Sequence, residues 1–547
     1  MEKYCVLSGG CFWCMSKPYY EYEGIKKVYS GYCGGIEVNP TYEEVKQQRT
    51  SHMESIKLIY DDEIISYNKI LDIYFETIDP FDDGGQFIDR GYSYSLAIFY
   101  QDEFMHNLAK EYIKKVEEKH KRKVYVKLIK EMPFYMAEEY HQDFAIKNKE
   151  EMEKELKISG RKNKEKNMII IKNANLISME EINYEICDIL IENGLIKEIG
   201  KIDENKYPNA KIIDAKGKYV TPGLVDPHCH VGLMESTIGW AGSDVNESVN
   251  PITPELRGID GIKPHDECFK EALESGVTTV CAGPGSANLI GGTFAVLKTK
   301  GKTVDEMILV KEVAMKMALG ENPKRVYGNS KTSPSTRMAS AALIREWLFK
   351  AKNYYEKKKE SVDGKYEFNM KLESLSRVFD GLPVKIHAHQ ADDIATAMRI
   401  GKEFNLKMTI DHCTEGYLIA DELKTNNQMV ILGPVMHNKS KYELKAKSFE
   451  SGKILFEKGV LFSIMTDHPV IEQKHTLIHA ALFVKAGLPE LEALKAVTIN
   501  AAKTCYVDHL VGSIKEGKHA DIVIWSKHPL DIMAEAETVI LNGNIEK

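Results

Sequence analysis

Long hydrophobic runs are absent from this 547-residue sequence. A helix that spans a bilayer needs about 20 consecutive apolar residues, and the most apolar helix-like run, HTLIHAALFVKAGL, is interrupted by His479 and Lys485. The N-terminal stretch MEKYCVLSGGCFWC carries the acidic Glu2 and has neither the apolar run nor the cleavage site of a secretory signal. The sequence therefore predicts a cytoplasmic protein that makes no contact with a membrane.

Charge of one sign is not in excess either. Acidic residues number 81 and basic residues 73, so no broad basic surface for nucleic acid is expected. Hydrophobic residues make up 43% and charged residues 28%, which excludes disordered and fibrous classes. Ten cysteines are too few for a disulfide framework in so long a chain, and four of them gather before residue 34. The length predicts several domains. The balance of charges favours small or neutral substrates.

A charged segment divides the chain in two. The stretch from 147 to 167, KNKEEMEKELKISGRKNKEKN, has no periodic apolar face in its second half and is typical of a solvated linker. Directly after it, MIIIKNANLIS has the apolar run of a buried strand. We therefore predict four parts: a module at 1–158, a linker at 159–167, a β-sandwich from 168–222 and 505–547, and a barrel at 223–504.

The first module places a cysteine at the start of a helix. YCVLSGG followed by CFWCMSKPYYEYEG predicts a strand, a Gly-Gly turn and a helix, so Cys11 is expected at a helix N-terminus, where the dipole lowers a thiol pKa. From Cys11 and Cys14 alone, a reactive thiol and a structural or zinc-binding pair are equally supported. The neighbouring Phe12 and Trp13 favour an apolar cup for a small hydrophobic group.

Six separated motifs in this module share one resemblance. They are GCFWC (Gly10 to Cys14), GYCGG (Gly31 to Gly35), NPTYEEV (Asn39 to Val45), SHMES (Ser51 to Ser55), GGQFIDRGYSYS (Gly84 to Ser95) and AEEYHQDF (Ala137 to Phe144). In this order they resemble the A-type peptide methionine sulfoxide reductases. The resemblance covers the whole module and implies the α+β fold of that family.

The resemblance also implies roles for individual residues. Cys11 is expected to attack the sulfoxide sulfur, and Glu54 to donate a proton to the sulfoxide oxygen. Tyr42 and Tyr94 are expected to hydrogen-bond that oxygen, Asp89 to order the substrate site, and the two aromatic residues after Cys11 to hold the methyl group. The chemistry suits these residue types, because sulfoxide reduction needs a soft nucleophile and a general acid.

Recycling of the nucleophile needs a second thiol. The product at Cys11 is a sulfenic acid, which another cysteine can resolve as a disulfide, and Cys14 and Cys33 are both candidates. Cys14 stands where the family often has glycine, and Lys46 where many members have a further cysteine. Thioredoxin or another thiol is the implied reductant of the disulfide. A redox or zinc sensor that regulates the second half remains the alternative.

The second half predicts a barrel with a small β-domain. Its two ends, MIIIKNANLIS and GSIKEGKHADIVIWSK, share the pattern of short alternating strands, so both are expected in one discontinuous β-sandwich. Between them, strand-like runs such as PVKIHAHQ and KMTIDHC alternate with amphipathic stretches such as ADDIATAMRIGKEFN. This alternation predicts a parallel, TIM-like α/β barrel.

Candidate metal ligands follow four of the predicted strands, at the edge where barrel active sites lie. They are His228 and His230 in PGLVDPHCH, His387 and His389 in PVKIHAHQ, His412 in TIDHC, and Asp467 in SIMTDHP. Residues two apart on an extended segment project from the same face. Imidazole and carboxylate groups gathered in this way predict a metal site.

This half resembles the imidazolonepropionase-like branch of the amidohydrolase superfamily. The motifs that carry the resemblance are PGLVDPHCH, IHAHQADD, TIDHC, MTDHPV and GSIKEGKHADIVIW. It implies a divalent metal site, with zinc as the expected metal and one or two ions, held by the set His228, His230, His387, His412 and Asp467. It further implies that Asp467 is the general base and that His389 faces the substrate.

A two-metal site in this superfamily also needs a bridging anion. Glu321 in VAMKMALGENPKRVYG is our choice, and Lys316, which would be carboxylated, is the rival. Arg337 is a candidate partner for a substrate carboxylate. The loops at 243–250, 283–292 and 333–338 are expected to shape the pocket.

The predicted activity of the second half is hydrolysis of an amide or cyclic amide C–N bond, because a bound metal activates water and polarises a carbonyl. The chain is therefore predicted to be a bifunctional enzyme, acting on oxidised methionine and on a small amide. A deaminase and an inactive metal scaffold remain alternatives for this half. Association of copies of the chain through the barrel is also left open.

Overall fold

The structure is a computed structural model that describes residues 2–120, 122–158, 168–180, 186–235, 239–361 and 366–547. The chain divides into two compact units, Met1–Lys166 and Asn167–Lys547. The predicted linker at 159–167 lies outside the described residues. Among the helices that are described, none is long and apolar enough to cross a membrane.

The first unit is built on a six-stranded sheet. The described strands of this unit, including two outside that sheet, are β1 (Glu2–Gly9), β2 (Ile25–Cys33), β3 (Met53–Asp61), β4 (Gly85–Gln86), β5 (Asp89–Arg90), β6 (Leu96–Tyr100), β7 (Lys127–Lys130) and β8 (Tyr135–Met136). The sheet order is β7-β6-β1-β3-β2-β8, and β4 pairs only with β5. All pairs in the sheet are antiparallel except β6 with β7.

Six α-helices accompany this sheet. They are α1 (Phe12–Ser16), α2 (Tyr42–Lys46), α3 (Tyr67–Thr77), α4 (Glu103–His120), α5 (Phe144–Lys147) and α6 (Lys149–Ile158). Helix α3 begins after Ser66, whose side chain accepts a hydrogen bond from the Lys69 N–H, and it buries Ile70, Ile73 and Tyr74. Helices and mixed strands around one core confirm the predicted α+β class for this unit.

The pairing of β2 with β3 determines the face of the sheet on which Cys33 lies. Tyr32 on β2 lies opposite Glu54 on β3, and Cys33 lies opposite Met53. Because successive side chains on a strand point to opposite faces, Tyr32 and Glu54 share one face of the sheet and Cys33 and Met53 share the other. Cys33 accordingly packs in a separate apolar cluster that includes Phe99.

The second unit has sixteen described strands. They are β9 (Met168–Leu176), β10 (Cys187–Glu192), β11 (Leu195–Gly200), β12 (Lys211–Asp214), β13 (Tyr219–Pro222), β14 (Leu224–Cys229), β15 (Val277–Ala282), β16 (Ile290–Lys298), β17 (Ile308–Ala318), β18 (Val384–Ala388), β19 (Met408–His412), β20 (Met429–Leu432), β21 (Phe462–Ile464), β22 (Ile522–Trp525), β23 (Ala536–Leu541) and β24 (Asn544–Ile545). Strands β9 to β13 and β22 to β24 form one eight-stranded sheet. Both ends of the unit thus build one discontinuous β-domain, as predicted.

The described helices of this unit lie mostly between the strands. They are α7 (Glu267–Glu274), α8 (Val304–Met307), α9 (Glu321–Asn329), α10 (Arg337–Glu360), α11 (Met370–Ser376), α12 (Ala391–Phe404), α13 (Ala420–Thr425), α14 (Glu450–Glu457), α15 (Thr476–Lys485), α16 (Glu490–Ala496) and α17 (Ile499–Thr504). Helix α12 is followed by Asn405, which adopts the left-handed conformation common at helix C-termini.

Strands β14 to β21 form the barrel in chain order. Its first and last strands, β14 and β21, lie side by side, so the barrel is nearly closed. The prediction of an all-parallel barrel was wrong at one strand, because β16 is antiparallel to both β15 and β17. Only residues 283–289 separate β15 from β16, whereas a parallel connection needs a dozen or more residues.

Candidate active sites

A carboxyl group and a thiol meet at the start of α1. Cys11 immediately precedes α1, and the N–H of the next residue, Phe12, donates to Glu54 Oε2 at 3.1 Å. Glu54 comes from β3 and is only 2% exposed. The predicted acid is therefore held one residue from the predicted nucleophile.

The local environment of Cys11 does not favour the thiolate. A hydrogen bond with the Cys14 side chain, followed by desolvation and the negative charge of Asp89, raises the pKa of Cys11 well above its usual value. The prediction that the helix N-terminus lowers this pKa was wrong. Helix α1 has only five residues, and the hydrogen bond, the burial and the charge at this position all act against the thiolate.

Tyr42, Tyr94 and Asp89 lie in the same electrostatic environment. Burial raises the pKa of both tyrosines, and the charge of Glu54 is the next largest cause for each. The charge of Asp89 acts on Tyr94 as well as on Cys11. The structure therefore brings together the five residues to which the resemblance assigns chemistry in this module.

The aromatic cup contains a histidine that sequence reasoning missed. The ring of His141 lies 5.0 Å from that of Phe12, 5.3 Å from that of Trp13 and 4.3 Å from that of Tyr42. Its two nitrogens are buried without a hydrogen-bond partner, and burial lowers its pKa. The signal was present, since His141 lies inside the motif AEEYHQDF, but no role was assigned to it.

Glu138 is a second missed residue. Its Oε1 accepts a hydrogen bond from the Tyr42 N–H at 2.9 Å, and its Oε2 accepts one from the Tyr32 hydroxyl at 2.8 Å. Glu138 thereby fixes the start of α2, which carries Tyr42.

The two candidate resolving thiols have different surroundings. Cys14 lies on α1 next to Cys11 and packs against Met152 and Leu156 of α6. Cys33 is fully buried and packs on the opposite face of the sheet from Glu54. Only Cys14 is close to the nucleophile.

In the second unit the strand-end histidines converge. Ligand atoms of His387, His389 and His412 lie within 4.8 Å of one another, and so do those of His228, His412 and Asp467. His412 belongs to both groups. His230 adjoins them, with its Nε2 3.3 Å from Asp467 Oδ1.

Hydrogen bonds orient four of these imidazoles. In each ring the contact is made by Nδ1. His228 contacts Asp411 Oδ2 at 2.6 Å, and His230 contacts the Gly283 carbonyl at 2.7 Å. His389 contacts Thr414 Oγ1 at 2.7 Å, and His412 contacts the Gly433 carbonyl at 3.0 Å. In each ring Nε2 is left for another ligand, which is the usual arrangement around protein-bound metals. His412 and Asp467 also adopt positive φ values of 73° and 53°, as strained residues at functional sites often do.

Unpartnered polar atoms test whether a metal ion fits this site. Both ring nitrogens of His387 and Nε2 of His389 are buried without a hydrogen-bond partner. Buried polar atoms are almost always paired, so these nitrogens fit an ion that supplies the missing bonds.

The charge states also suit a metal. Burial is the largest cause that lowers the pKa of His228, His387, His389 and His412, which favours the neutral imidazole that binds metals. Burial alone would raise the pKa of Asp467, but its electrostatic interactions with the neighbouring His412, His230 and Lys316 outweigh burial and lower that pKa.

Lys316, and not Glu321, contacts the histidines. Lys316 on β17 is fully buried, its Nζ lies 3.4 Å from His228 Nε2, and burial lowers its pKa to about 8. Glu321 is the first residue of α9, and its N–H donates to Glu443 Oε2 at 2.9 Å. Within the described residues, Glu321 is in neither of the two candidate ligand groups.

Glu443 and Lys441 are residues of this site that sequence reasoning missed. Glu443 Oε1 lies 3.5 Å from His389 Nε2, 3.8 Å from His387 Nε2 and 2.5 Å from Lys441 Nζ. Both residues belong to the segment after β20, HNKSKYELKAK, which has the composition of an ordinary charged loop.

Arg337, the predicted partner of a substrate carboxylate, pairs with Asp392 and Asp393 at 3.4 and 3.6 Å.

Two of the three predicted pocket loops line one cavity. This cavity of about 320 Å³ includes residues 243–247 and residues 284, 285, 288 and 291. Asn322 reaches the same loop through a hydrogen bond to Ser286 at 2.8 Å, and it accepts one from Lys441 Nζ at 3.2 Å. A polar chain thus runs from the histidines toward the cavity.

Comparisons with known proteins match each half of the chain to a family. Residues 3–173 match the family model of peptide methionine sulfoxide reductases, and residues 219–547 match that of the amidohydrolase family. The chain belongs to both families, as a fusion of a peptide methionine sulfoxide reductase with an amidohydrolase.

Individual relatives support each half. The peptide methionine sulfoxide reductase MsrA 2 of Staphylococcus aureus is 46% identical over 163 residues, which are 29% of this chain and 92% of that protein. The amidohydrolase tasK of Hapsidospora irregularis is 30% identical over 390 residues, which are 66% of this chain but only 40% of that protein. An amidohydrolase from Thermotoga maritima MSB8, of known crystal structure, is 40% identical in sequence, with a TM-score of 0.67. The match covers 69% of this chain and 99% of that protein.

Proposed function

We propose that the chain is a bifunctional enzyme. The first unit reduces methionine S-sulfoxide, free or in proteins, with thioredoxin or another thiol as reductant. The second hydrolyses an amide or cyclic amide C–N bond with a divalent metal, for which zinc is our choice. We propose the cytoplasm as its location and the module boundaries given above as its domain limits.

The hydrogen bond from Phe12 to Glu54 supports the reductase most directly. The Cys11 sulfur attacks the sulfoxide sulfur, Glu54 protonates the departing oxygen, and Cys11 becomes a sulfenic acid while the substrate becomes a thioether. Tyr42 and Tyr94 donate hydrogen bonds to the sulfoxide oxygen, Asp89 orders the substrate site, and Phe12 and Trp13 hold the methyl group.

We assign the resolving step to Cys14 rather than Cys33. Its thiol attacks the sulfenic acid, a Cys11–Cys14 disulfide forms, and water leaves. The face of the sheet to which Cys33 points supports this choice, because Cys33 would have to cross the sheet to reach Cys11.

Stereospecific turnover tests the reductase. We expect reduction of methionine S-sulfoxide, and not of the R epimer, when dithiothreitol or thioredoxin is supplied. With thioredoxin as reductant, Cys14→Ser should stop multiple turnover after one equivalent of product, while Cys33→Ser should turn over within about twofold of wild type. Dithiothreitol can attack the sulfenic acid directly, so it should restore turnover to Cys14→Ser. Loss of multiple turnover in Cys33→Ser alone would reverse the assignment.

The two ligand groups that share His412 support the hydrolase. We propose that His228, His230, His387, His412 and Asp467 hold the metal. When bound, a divalent ion polarises the scissile carbonyl and makes water more acidic. Asp467 accepts a proton from the attacking water and transfers it to the leaving nitrogen, and His389 faces the substrate.

We propose Lys316 as the bridging group, in its carboxylated form, in place of Glu321. Carboxylation joins the Lys316 amine to carbon dioxide with release of a proton and gives an anion. The neighbouring buried lysine, Lys385, has a carboxylate partner in Asp411, whereas the hydrogen-bond partner of Lys316 is the neutral His228. Mass spectrometry under native conditions should show one added carbon dioxide, which Lys316→Met should abolish.

We further propose that the amide substrate carries a carboxylate held by Lys441. This lysine contacts Glu443 beside the histidines and donates a hydrogen bond to Asn322, which reaches the 283–292 loop. Arg337 instead contacts Asp392 and Asp393. A screen of N-acyl amino acids, dipeptides and cyclic amides, each beside its uncharged amide, tests this class with zinc or a chelator present. Turnover that persists without any metal would overturn the proposed hydrolase.

A further inference from the structure

The ligand His228 is supported by a buried pair of opposite charges. Its Nδ1 lies 2.6 Å from Asp411 Oδ2 on β19, and Lys385 Nζ on β18 lies 3.2 Å from the same oxygen. All three residues are at most 1% exposed. Asp411 is in neither of the candidate ligand groups found in the described chain.

The other contacts of the pair hold the same segment. Lys385 Nζ donates to the carbonyl of Pro227, the residue before His228, at 3.1 Å. Asp411 Oδ1 accepts a hydrogen bond from Thr409 Oγ1 at 2.7 Å. Both carboxylate oxygens therefore have partners, and β14 is held at two adjacent residues, by its backbone at Pro227 and by its side chain at His228.

The direction of the hydrogen bond follows from the groups involved. A carboxylate oxygen accepts hydrogen bonds, so the Asp411 contact places the proton of a neutral His228 on Nδ1. The lone pair is then on Nε2, which faces Lys316 Nζ and Asp467 Oδ1 at 3.4 and 3.7 Å. A carboxylate behind an imidazole also strengthens it as a ligand.

We propose that Asp411 is a positioning residue for the metal site: it fixes His228 as an Nε2 ligand, while Lys385 balances its charge. The inference rests on the proposed metal site but concerns two residues that never touch the metal. It predicts that metal affinity depends on Asp411 separately from the stability of the fold.

The chain offers a matched control in another buried lysine–aspartate pair. Lys298 and Asp521 are 3% and 4% exposed and form an ion pair outside both candidate ligand groups of the described chain. Asp521→Asn leaves a buried lysine unpaired, just as Asp411→Asn does, and such changes destabilise a fold wherever they occur. Only the change at Asp411 should weaken metal binding.

Zinc affinity is measured by chelator competition on the full chain, with Cys11→Ser and Cys14→Ser introduced so that these thiols bind no zinc. Asp411→Asn should lower affinity by roughly 10- to 100-fold, and Asp521→Asn should leave it within about twofold. Lys385→Met combined with Asp411→Asn removes the unpaired charge, so it should recover thermal stability but not affinity.

A spectroscopic measurement keeps the test independent of folding. In the metal-free parent chain, ¹⁵N NMR should show His228 as one tautomer with its proton on Nδ1, and Asp411→Asn should shift the two nitrogen resonances toward each other. A proton on Nε2, or wild-type affinity in Asp411→Asn or in the double variant, would overturn the inference. A parent chain that binds no zinc would instead overturn the proposed metal site.

Discussion

The two candidate active sites differ in how their buried, unpartnered nitrogens are arranged. In the first unit Glu54 accepts the Phe12 N–H, and Cys11 hydrogen-bonds with Cys14. In the second unit the ring nitrogens of His387 are buried without partners. The first site also has unpartnered nitrogens, but they belong to the single ring of His141, which lies among aromatic rings. In the second site such nitrogens belong to histidines whose ligand atoms lie within 4.8 Å of one another. A buried polar atom without a partner is unfavourable, and only the second group can share one ion, so only the second site is expected to be stabilised by metal binding.

The largest expected effect separates the two chemistries. Cys11→Ser should lower reduction of methionine S-sulfoxide by roughly 10⁴-fold or more, because the serine hydroxyl is a far weaker nucleophile than a thiol. Amide hydrolysis by the same chain should be unchanged. Coupled assays on one preparation measure both activities, and a parallel fall of the two would show that the sites are not independent.

The next effect concerns the second site alone. Asp467→Asn should lower hydrolysis by roughly 10³-fold, because an amide cannot accept and return a proton. Most of the metal should remain bound by the histidines, whereas the paired change His228→Ala and His230→Ala should lose it. Turnover and metal content of both variants decide whether Asp467 acts as a base or only as a metal ligand. Near-normal turnover in Asp467→Asn would exclude Asp467 from the mechanism.

Metal removal tests the stability side of the comparison. If zinc is present at about 1,000 times its dissociation constant, its removal should lower the free energy of unfolding of the second unit by about 4 kcal/mol. The first unit should keep its transition temperature. Calorimetry with and without a chelator measures both transitions. An equal shift in the two would show that the units do not differ in their dependence on metal.

The smallest effect concerns the resting thiol of the first site. Because its pKa is raised, the thiolate fraction of Cys11 should grow about tenfold for each pH unit from 7 to 9, and alkylation by iodoacetamide should accelerate in proportion. Cys14→Ser removes the largest cause of the shift and should make alkylation faster at pH 7. A rate that is already constant above pH 7 would show a low pKa instead.

Much of both sites followed from sequence, because their residues occupy positions that the fold class fixes. Parallel strands end at one edge of a barrel, so His228, His387 and His412 were expected to meet. Glu54 followed from the family resemblance of its motif, whereas only the observed register shows that Cys33 and Glu54 lie on opposite faces of the sheet.

Other features depended on tertiary structure. The path of the segment after β20 brings Glu443 and Lys441 to the histidines, and no local pattern encodes that path. The pKa of Cys11 depends on desolvation and on Cys14, which outweigh the helix terminus. The direction of β16, in contrast, was readable in principle, since residues 283–289 are too few for a parallel crossover.

That reversed strand has a consequence for how substrate preference can change. Because β16 runs antiparallel, the turn before it opens directly onto the cavity, and this turn supplies no candidate ligand within the described chain. Substitutions or insertions in residues 284–289 can therefore reshape the cavity without moving the catalytic groups. The barrel thus separates the candidate metal ligands from a short hairpin that borders the cavity.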